Sequence, residues 1–406
     1  MNQNALTLIT VIDDQQIDRL KSVLKDNKEI LSTLLRNIGT VHYARWVIID
    51  GQKLKNETTP TQLVFSSNHD GDTAAHIYDL VQHLGGLLDL IYSNSPDYTP
   101  QDKEGFLTKT RIKEAAFYVG APGRSVKDIA LEKTLHHEIA AQLKKTDWNG
   151  KSAKEIHEAV QQQVFANPQF EWAKEKIEVP GIRWVGLILF ILVLLILLPV
   201  IILWAIYMQV VHERFDKPLG LNPNQLDDDH LNKMQADEDF AFQNQFSQII
   251  DMKPGIARLV TISGLYLFAK MLIKLLFVKG KLMGIPTIHF ARWVQVNDKK
   301  RMLFFSNFDG SWTQYLGDFI DKSGWGLTGI FGNTKNFPRA LFLVFKGAYN
   351  QRQFLAWARY TQIQTQFWYV DDLTQSIKNV NNNTMIRNEL SSSLNEKQAK
   401  LFLTRI

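Results

Sequence analysis

The sequence predicts an α+β fold in which one βαββαβ unit occurs twice, with a membrane segment between the two copies. Three observations lead to this prediction: an internal repeat, apolar residues that follow strand and helix periods, and one long run without charge. The chain of 406 residues is 45% apolar, which is enough for packed cores, and it has no cysteine. Thiol catalysis and disulfides are therefore excluded, and a net charge of +5 is too mild to indicate a nucleic-acid partner.

The repeat is clearest in two pairs of short segments. TVHYARWVII at residues 40–49 returns as TIHFARWVQV at 287–296, with six of the ten positions identical. Downstream, LVFSSNHDG at 63–71 returns as MLFFSNFDG at 302–310. Agreement in order, spacing and content indicates a duplication, so both halves should adopt one architecture.

Sequence periods and turn residues divide the first copy into six elements. Apolar and β-branched residues bounded by Asp13 and Asp14 indicate a strand, and leucines at helical spacing indicate the helix after it. The predicted elements are a strand at 5–12, a helix at 15–36, strands at 41–50 and 62–67, a helix at 73–92 and a strand at 115–119.

The second copy repeats this order, with strands at 246–251, 288–295, 302–306 and 340–345 and with helices that begin near Pro254 and Trp312. Each unit buries one sheet face under its helices, so the open faces of the two sheets can cover each other. The predicted organisation is a first unit at 1–125, a helical extension at 126–182, a membrane segment at 183–212, an acidic linker at 213–243, a second unit at 244–348 and a helical tail at 349–406.

The membrane segment contains 28 residues without a formal charge between Arg183 and His212. About 20 apolar residues suffice to cross a bilayer, and Trp184 and Trp204 lie where interfacial aromatics would anchor the segment. Pro199 predicts a kink or a break, which leaves a straight span and a bent, re-entrant segment as alternatives.

The predicted helix at 255–285 is apolar and basic. It contains Arg258, Lys270, Lys274 and Lys281 and no acidic residue, and a helical wheel places the last three within about 40° of one another. This pattern is typical of a helix that lies at the interface against anionic lipid. Because the stretch occupies the position of an ordinary helix in the first copy, we favour a membrane-surface helix with both halves on one side. Two true spans are the alternative.

The βαββαβ order is the ferredoxin-like pattern. Two such units in one chain resemble the dimeric α+β barrel superfamily, which includes chlorite dismutases and dye-decolourising peroxidases. The loops SNHDG at 67–71 and SNFDG at 306–310 are similar to the GxxDG loop of these peroxidases, although each lacks the first glycine. The chain has no match to the proximal histidine region of that family. The resemblance implies an intrachain α+β barrel and a haem cofactor.

Two histidines, His42 and His289, lie in otherwise apolar predicted strands. In each antiparallel hairpin the start of the first strand lies beside the end of the second, so we expect His42 next to Asp70 and His289 next to Asp309. A histidine bound to an aspartate has a fixed tautomer and is suited to general base catalysis or to metal or haem ligation. The alternative is structural, because both aspartates stand just before predicted helices, where they could serve as N-caps.

Arg45 and Arg292 lie in the same two strands. By alternation, His42 shares a sheet face with Ala44 and Trp46, and Arg45 points to the opposite face. A buried arginine requires an acceptor, which could be a protein group across the barrel or an anionic ligand such as a haem propionate, a fatty acid carboxylate or a phosphate.

These features predict a membrane protein, facing the cytoplasm, that binds or acts on a hydrophobic, lipid-like ligand. Its expected partners are membrane lipid, a hydrophobic small molecule and further copies of itself. In the enzymatic alternative it is a haem peroxidase-like oxidoreductase in which His42, Asp70, His289 and Asp309 are catalytic. In the non-enzymatic alternative it is a lipid-binding or scaffolding subunit of a membrane assembly. The sequence identifies no metal, and the linker acids, such as Asp227, are expected to be solvated.

Overall fold

The computed structural model describes residues 2–49, 51, 60–220, 228–236, 238 and 241–406. Asp50 of the predicted second strand and the linker acids Asp227, Asp237 and Asp239 lie outside the described residues. The fold is α+β with antiparallel sheets, which confirms the predicted class.

The described residues form ten strands. They are β1 (Gln3–Val11), β2 (Val41–Ile49), β3 (Gln62–Asp70), β4 (Ala116–Val119), β5 (Gln243–Asp251), β6 (Ile288–Val296), β7 (Arg301–Asp309), β8 (Ala340–Leu341), β9 (Phe345–Lys346) and β10 (Thr365–Val370).

The helices follow a similar order in the two halves. They are α1 (Ile17–Asp26), α2 (Lys28–Ile38), α3 (Thr73–Leu84), α4 (Gly86–Tyr92), α5 (Lys103–Lys109), α6 (Val126–Lys145), α7 (Ala153–Phe165), α8 (Trp184–Val211), α9 (Asp228–Ala236), α10 (Ile256–Leu275), α11 (Trp312–Phe331), α12 (Gln351–Thr361), α13 (Ile377–Leu390) and α14 (Glu396–Leu403).

Two predicted helices are each divided by one residue. The helix at 15–36 breaks at Asn27, whose side-chain amide donates to the carbonyl of Val23 at 2.8 Å and so competes with the helical ladder. The helix at 73–92 breaks at Gly85, which adopts a positive φ of 47°.

Two four-stranded sheets have the same internal order. In the first sheet the order is β1-β3-β2-β10, and in the second it is β5-β7-β6-β4. Gln3 pairs with Asp70 in one sheet as Gln243 pairs with Asp309 in the other. Each sheet therefore takes its fourth strand from the other half of the chain, since β4 precedes α8 and β10 follows α12.

The chain leading into each fourth strand also contacts the opposite sheet. Before β4, the amide of Ile112 donates to the carbonyl of Thr7 on β1 at 2.9 Å. Before β10, the amide of Ile363 donates to the carbonyl of Ser247 on β5 at 2.9 Å. These two segments therefore connect the edges of the sheets by hydrogen bonds.

Apolar clusters place the sheets and helices in layers. Val47 and Val64 of the first sheet pack against Val294, Leu303 and Phe305 of the second, so the two sheets face each other. Helices α1 to α5 cover the outer face of the first sheet, and α10, α11 and α12 cover that of the second. A third core joins α6 and α7 to α13 and α14.

The predicted strand at 340–345 is wrong. In its place are the two-residue strands β8 and β9, and the chain turns between them because Phe342 and Leu343 have positive φ values of 48° and 71°. The amide of Leu343 donates to the buried carboxylate of Glu213 at 3.1 Å, so tertiary contacts hold this apolar run in a turn. The fourth strand is instead β10, inside the tail that was predicted to be helical.

Both apolar helices are present. Within the part of the chain that the structure describes, two helical stretches are long and apolar enough to span a membrane, Trp184–Phe215 and Ile256–Leu275. The predicted charge-free helix is confirmed as α8, and Pro199 does not break it. The predicted helix at 255–285 is too long, because α10 ends at Leu275 and the chain then turns through Gly280 with a φ of 71°.

Candidate functional site

A β-bulge changes the direction of His42. Because the pairing of β2 with β3 shifts between Val41 and Tyr43, His42 lies opposite no residue of β3. Val41 therefore joins Ala44 and Trp46 in the core under the helices, and His42 turns with Tyr43 toward a cavity. The predicted shared face of His42, Ala44 and Trp46 is wrong for this reason.

Both predicted histidine–aspartate pairs form. His42 Nε2 lies 2.9 Å from Asp70 Oδ1, and His289 Nε2 lies 2.7 Å from Asp309 Oδ1. His289 lies at the same bulge in the second sheet, between residues 288 and 290. All four side chains are buried, so each pair is shielded from solvent.

The second oxygen of each aspartate receives a backbone amide from a distant helix. The amide of Val126, the first residue of α6, donates to Asp70 Oδ2 at 2.8 Å. The amide of Ile377, the first residue of α13, donates to Asp309 Oδ2 at 2.9 Å. Each aspartate therefore joins a histidine of its own sheet to the N-terminus of a helix, where an anion is favourable.

The helices that directly follow the two aspartates are capped by other residues. Asp72 accepts the amides of Ala74 and Ala75 at the start of α3, and Ser311 accepts the amide of Gln314 at the start of α11. The predicted capping of these helices by Asp70 and Asp309 is therefore wrong. Asp70 instead binds the N-terminus of α6, and Asp309 binds the N-terminus of α13.

The histidines of the two pairs, His42 and His289, border one cavity of about 40 Å³. Tyr43 and Phe290 lie between the histidines, with ring centroids 5.6 Å from His289 and 5.3 Å from His42, respectively. A buried water occupies at least about 10–15 Å³ of such volume, so the cavity holds roughly three water molecules. A haem does not fit beside either histidine.

The arrangement suits a small polar solute or water. When His42 Nε2–H donates to Asp70, the other ring nitrogen, Nδ1, can accept a hydrogen bond or a proton. Catalysis by His42, Asp70, His289 and Asp309 stays a prediction. Among the described residues, no three histidine, aspartate or glutamate side chains lie close enough together to hold a metal ion.

Sequence reasoning missed two glutamines at the cavity wall. Gln3 Nε2 donates to the carbonyls of Ala121 and Arg124, at 3.0 and 2.6 Å, in the loop before α6. Gln243 Nε2 donates to the carbonyls of Asp372 and Gln375, at 2.8 and 2.6 Å, in the loop before α13. The dipeptide Gln-Asn at 3–4 and again at 243–244 was the available signal.

Asp371 also lines this cavity and was missed. It follows β10 directly, and burial raises the pKa of its carboxyl group. The corresponding residue after β4 is Gly120, as the alignment of FYVG at 117–120 with WYVD at 368–371 indicates. The two sides of the cavity therefore differ in charge although their backbones correspond.

Arg45 and Arg292 bind protein groups of the opposite sheet. Arg45 donates to the carbonyls of Phe246 and Ser306, both at 3.1 Å, and Arg292 donates to the carbonyl of Leu6 at 2.7 Å. Both side chains are 2% exposed. The sequence left protein groups and an anionic ligand as alternative acceptors for these arginines. In the structure, protein groups accept their hydrogen bonds.

Burial lowers the pKa of both guanidinium groups to about 9. For Arg45, the charge of Arg292 is a further cause of the lowered pKa. Both groups remain protonated at neutral pH, where the carbonyl acceptors stabilise their charges. The arginines thus fasten the two sheets to each other across their shared core.

A stacked histidine pair in the first half corresponds to a pair without histidine in the second. His69 and His76 are almost completely buried, with ring centroids 4.0 Å apart, and burial lowers the pKa of both, that of His69 to about 4. At the corresponding positions, Phe308 and Tyr315 stack at 3.8 Å. A metal lies in the plane of each ligating imidazole, so two rings stacked in parallel cannot share one.

The predicted membrane-surface cations divide into two groups. Lys270, Lys274 and Lys281 are exposed, although Lys281 lies beyond the end of α10. Arg258 was wrongly placed among them, because it is buried and donates to both carboxylate oxygens of Asp216, at 2.9 and 2.8 Å.

Lys253 binds the same carboxylate of Asp216 at 2.7 Å, and burial lowers the pKa of its ammonium group to about 8. The chain that follows α8 is thus fixed to the start of α10.

Comparisons of the chain with protein-family models, with curated proteins and with solved structures find no match.

Proposed function

We propose that this protein lies on one face of a membrane, attached through α8 and the outer surface of α10, and binds lipid there. The observation that carries the proposal is the composition of the second sheet. One of its strands, β4, precedes α8, β5 lies between α8 and α10, and β6 and β7 follow α10. Strands of one hydrogen-bonded sheet lie on the same side of a bilayer, so neither helix crosses it in this fold.

The exposure of α8 supports a lipid contact. Leu187 and Met208 are its buried residues, while Ile196 and Leu203 are 77% and 68% exposed. An apolar surface of this size in contact with water is unfavourable, and membrane binding would remove it from water.

The packing of α8 against α10 supports an orientation along the protein surface. The helices are antiparallel, because the amide of Arg183 donates to the carbonyl of Leu275 at 3.0 Å and Trp204 Nε1 donates to Thr261 Oγ1 at 3.0 Å. The other side of α10 packs on the second sheet, where Ile262 is completely buried. A helix fixed along this layer lies parallel to the membrane plane.

The exposed lysines suit an anionic surface. Lys270 and Lys274 lie near the C-terminal end of α10, and Lys281 follows in the next loop, with no acidic residue between positions 255 and 286. Each lysine near an anionic membrane contributes about 1 kcal/mol of attraction. We therefore infer a preference for anionic lipid.

Within this arrangement we propose that the halves are two ferredoxin-like units that close one α+β barrel. The equal sheet orders and the matching register of Gln3 with Asp70 and Gln243 with Asp309 support the duplication. The hydrogen bonds of Ile112 to β1 and of Ile363 to β5 support the closure, because each segment then continues into the opposite sheet.

Vesicle flotation tests the proposed function. The full chain should float with vesicles of phosphatidylcholine and phosphatidylglycerol. Replacing Lys270, Lys274 and Lys281 by glutamate should weaken this binding by about 3 kcal/mol or more, on the order of a hundredfold in partitioning. A matched control carries the same charge change at Lys25, Lys28 and Lys127, which are exposed on other helices. Failure of the unmodified chain to float would refute the proposal.

A further inference from the structure

An apolar cavity of about 70 Å³ lies between α10 and α11. Leu265, Phe268 and Leu272 form its α10 wall, and Phe319 and Trp325 belong to its α11 wall. Ser323 also borders the cavity, but its hydroxyl donates to the carbonyl of Phe319 at 3.0 Å. The wall therefore offers hydrocarbon and aromatic surface to an occupant.

Small residues on α11 create this space. The helix is kinked at Ser323, which has a non-helical φ of −141°, and Gly326 and Gly329 face the cavity just beyond the kink. A Cβ atom added at Gly329 would lie 3.4 Å from Leu265 Cδ2, and one added at Gly326 would lie 2.8 Å from Met283 Cε. Larger side chains at these positions would fill the cavity.

The cavity adjoins the surface that we assign to the membrane. The ring of Phe268 lies 5.8 Å from Phe190 on α8 and 6.3 Å from Trp325 on α11, measured between centroids. Trp325 is 38% exposed, so the cavity wall reaches the surface beside α8. Lys270 and Lys274 are exposed on the helix that forms one wall.

We propose that this cavity binds the end of one acyl chain of an anionic membrane lipid. The inference rests on the proposed membrane attachment, which brings lipid to the mouth of the cavity. At about 10–15 Å³ for each water-sized group, the volume holds roughly five to seven such groups, so it takes a chain end rather than a whole lipid. An apolar lining selects hydrocarbon, and the nearby lysines select a negative headgroup.

Photo-crosslinking tests the proposal on the full chain. The probe is phosphatidylglycerol with a diazirine at the end of one acyl chain, mixed into phosphatidylcholine vesicles. We expect crosslinks to α8 and, separately, to the cavity segments at 265–277 and 323–331. A diazirine placed near the glycerol should label α8 but not the cavity.

Two variants fill the cavity from opposite walls, Gly329→Leu and Ala269→Phe. Each should reduce cavity crosslinks at least tenfold and leave crosslinks to α8 unchanged. Gly317→Leu is the matched control on the same helix, because a Cβ atom there meets no atom within 4 Å. If both filling variants fail to fold, the crosslinks of the unmodified chain decide whether the acyl-chain site exists. The chain-end diazirine should then label the cavity segments, and the diazirine near the glycerol should not.

The possible maps separate the two proposals. Crosslinks of the chain end to α8 alone, or cavity crosslinks that persist in both filling variants, would overturn the acyl-chain site and leave membrane attachment standing. Absence of crosslinks anywhere, together with a chain that does not float, would overturn both.

Discussion

Replacing His69 by Phe and His76 by Tyr should make the protein less sensitive to acid. These residues are chosen because Phe308 and Tyr315 stack at the corresponding positions of the second half. Tyr315 donates its hydroxyl proton to Ser306 Oγ at 2.7 Å. In the first half, His76 Nε2 lies 2.8 Å from the corresponding serine, Ser67, which can accept a tyrosine hydroxyl in the same way.

The expected magnitude follows from the lowered pKa of His69, about 4 in the folded state against 6.5 when exposed. Between these values the unfolded chain binds a proton that the folded chain does not, so the free energy of unfolding decreases as the pH falls from 6.5 to about 4. At about 1.4 kcal/mol for each pKa unit, the loss is about 3 kcal/mol for this residue alone. The pKa of His76 is lowered too, which acts in the same direction.

Urea unfolding in non-ionic detergent, followed by circular dichroism at several pH values, measures this effect. The double variant should lose less stability than the unmodified chain between pH 6.5 and 4, and should be at least as stable at pH 7.5. It also removes two buried ring nitrogens that have no hydrogen-bond partner among the described residues, His69 Nε2 and His76 Nδ1. The control is His83→Phe, at an exposed histidine. Equal acid sensitivity of the double variant and the unmodified chain would refute the reasoning.

Three further substitutions test buried polar contacts. Asp216→Asn should lower the free energy of unfolding by about 3–5 kcal/mol, measured with denaturant, because it leaves the buried Arg258 and the partly buried Lys253 without their carboxylate. Arg45→Met should cost about 2–4 kcal/mol in the same assay, because it leaves buried carbonyls of the opposite sheet unpaired. Asp70→Asn should cost about 1–3 kcal/mol and increase hydrogen exchange at the amide of Val126. The amide of Ile377 is the internal control, and equal increases at both amides would contradict a local role for Asp70.

The sequence predicted the contacts that depend on hairpin geometry. Both copies contain a histidine at the start of one strand and an aspartate at the end of the next, and antiparallel pairing places the start of the first strand beside the end of the second, where His42 binds Asp70 and His289 binds Asp309. The charge-free run between Arg183 and His212 predicted the bounds of α8 to within a residue. A run of 28 uncharged, mostly apolar residues is typical of a membrane helix.

Features that depend on tertiary contacts could not be predicted from periodicity. Alternation assumes an unbroken ladder, so it placed His42 on the wrong face of a bulged strand. An apolar run at 340–345 looked like a strand, but Leu343 binds Glu213 in a turn. The exchange of β4 and β10 between the sheets was missed, although the matching segments FYV at 117–119 and WYV at 368–370 were a usable signal.

Accessibility labelling in sealed vesicles tests the central claim most directly, because the chain contains no cysteine. A variant with cysteines at Lys25, Lys217 and Lys300 carries one exposed site before α8, one between α8 and α10, and one after α10. With a membrane-impermeant maleimide polymer, we predict that each chain acquires three tags or none, whatever the mixture of orientations. Chains with one or two tags would contradict the proposal. If α8 alone crossed the membrane, the site at Lys25 would lie on the opposite side from the other two sites. If both α8 and α10 crossed it, the site at Lys217 would lie on the opposite side from the sites at Lys25 and Lys300.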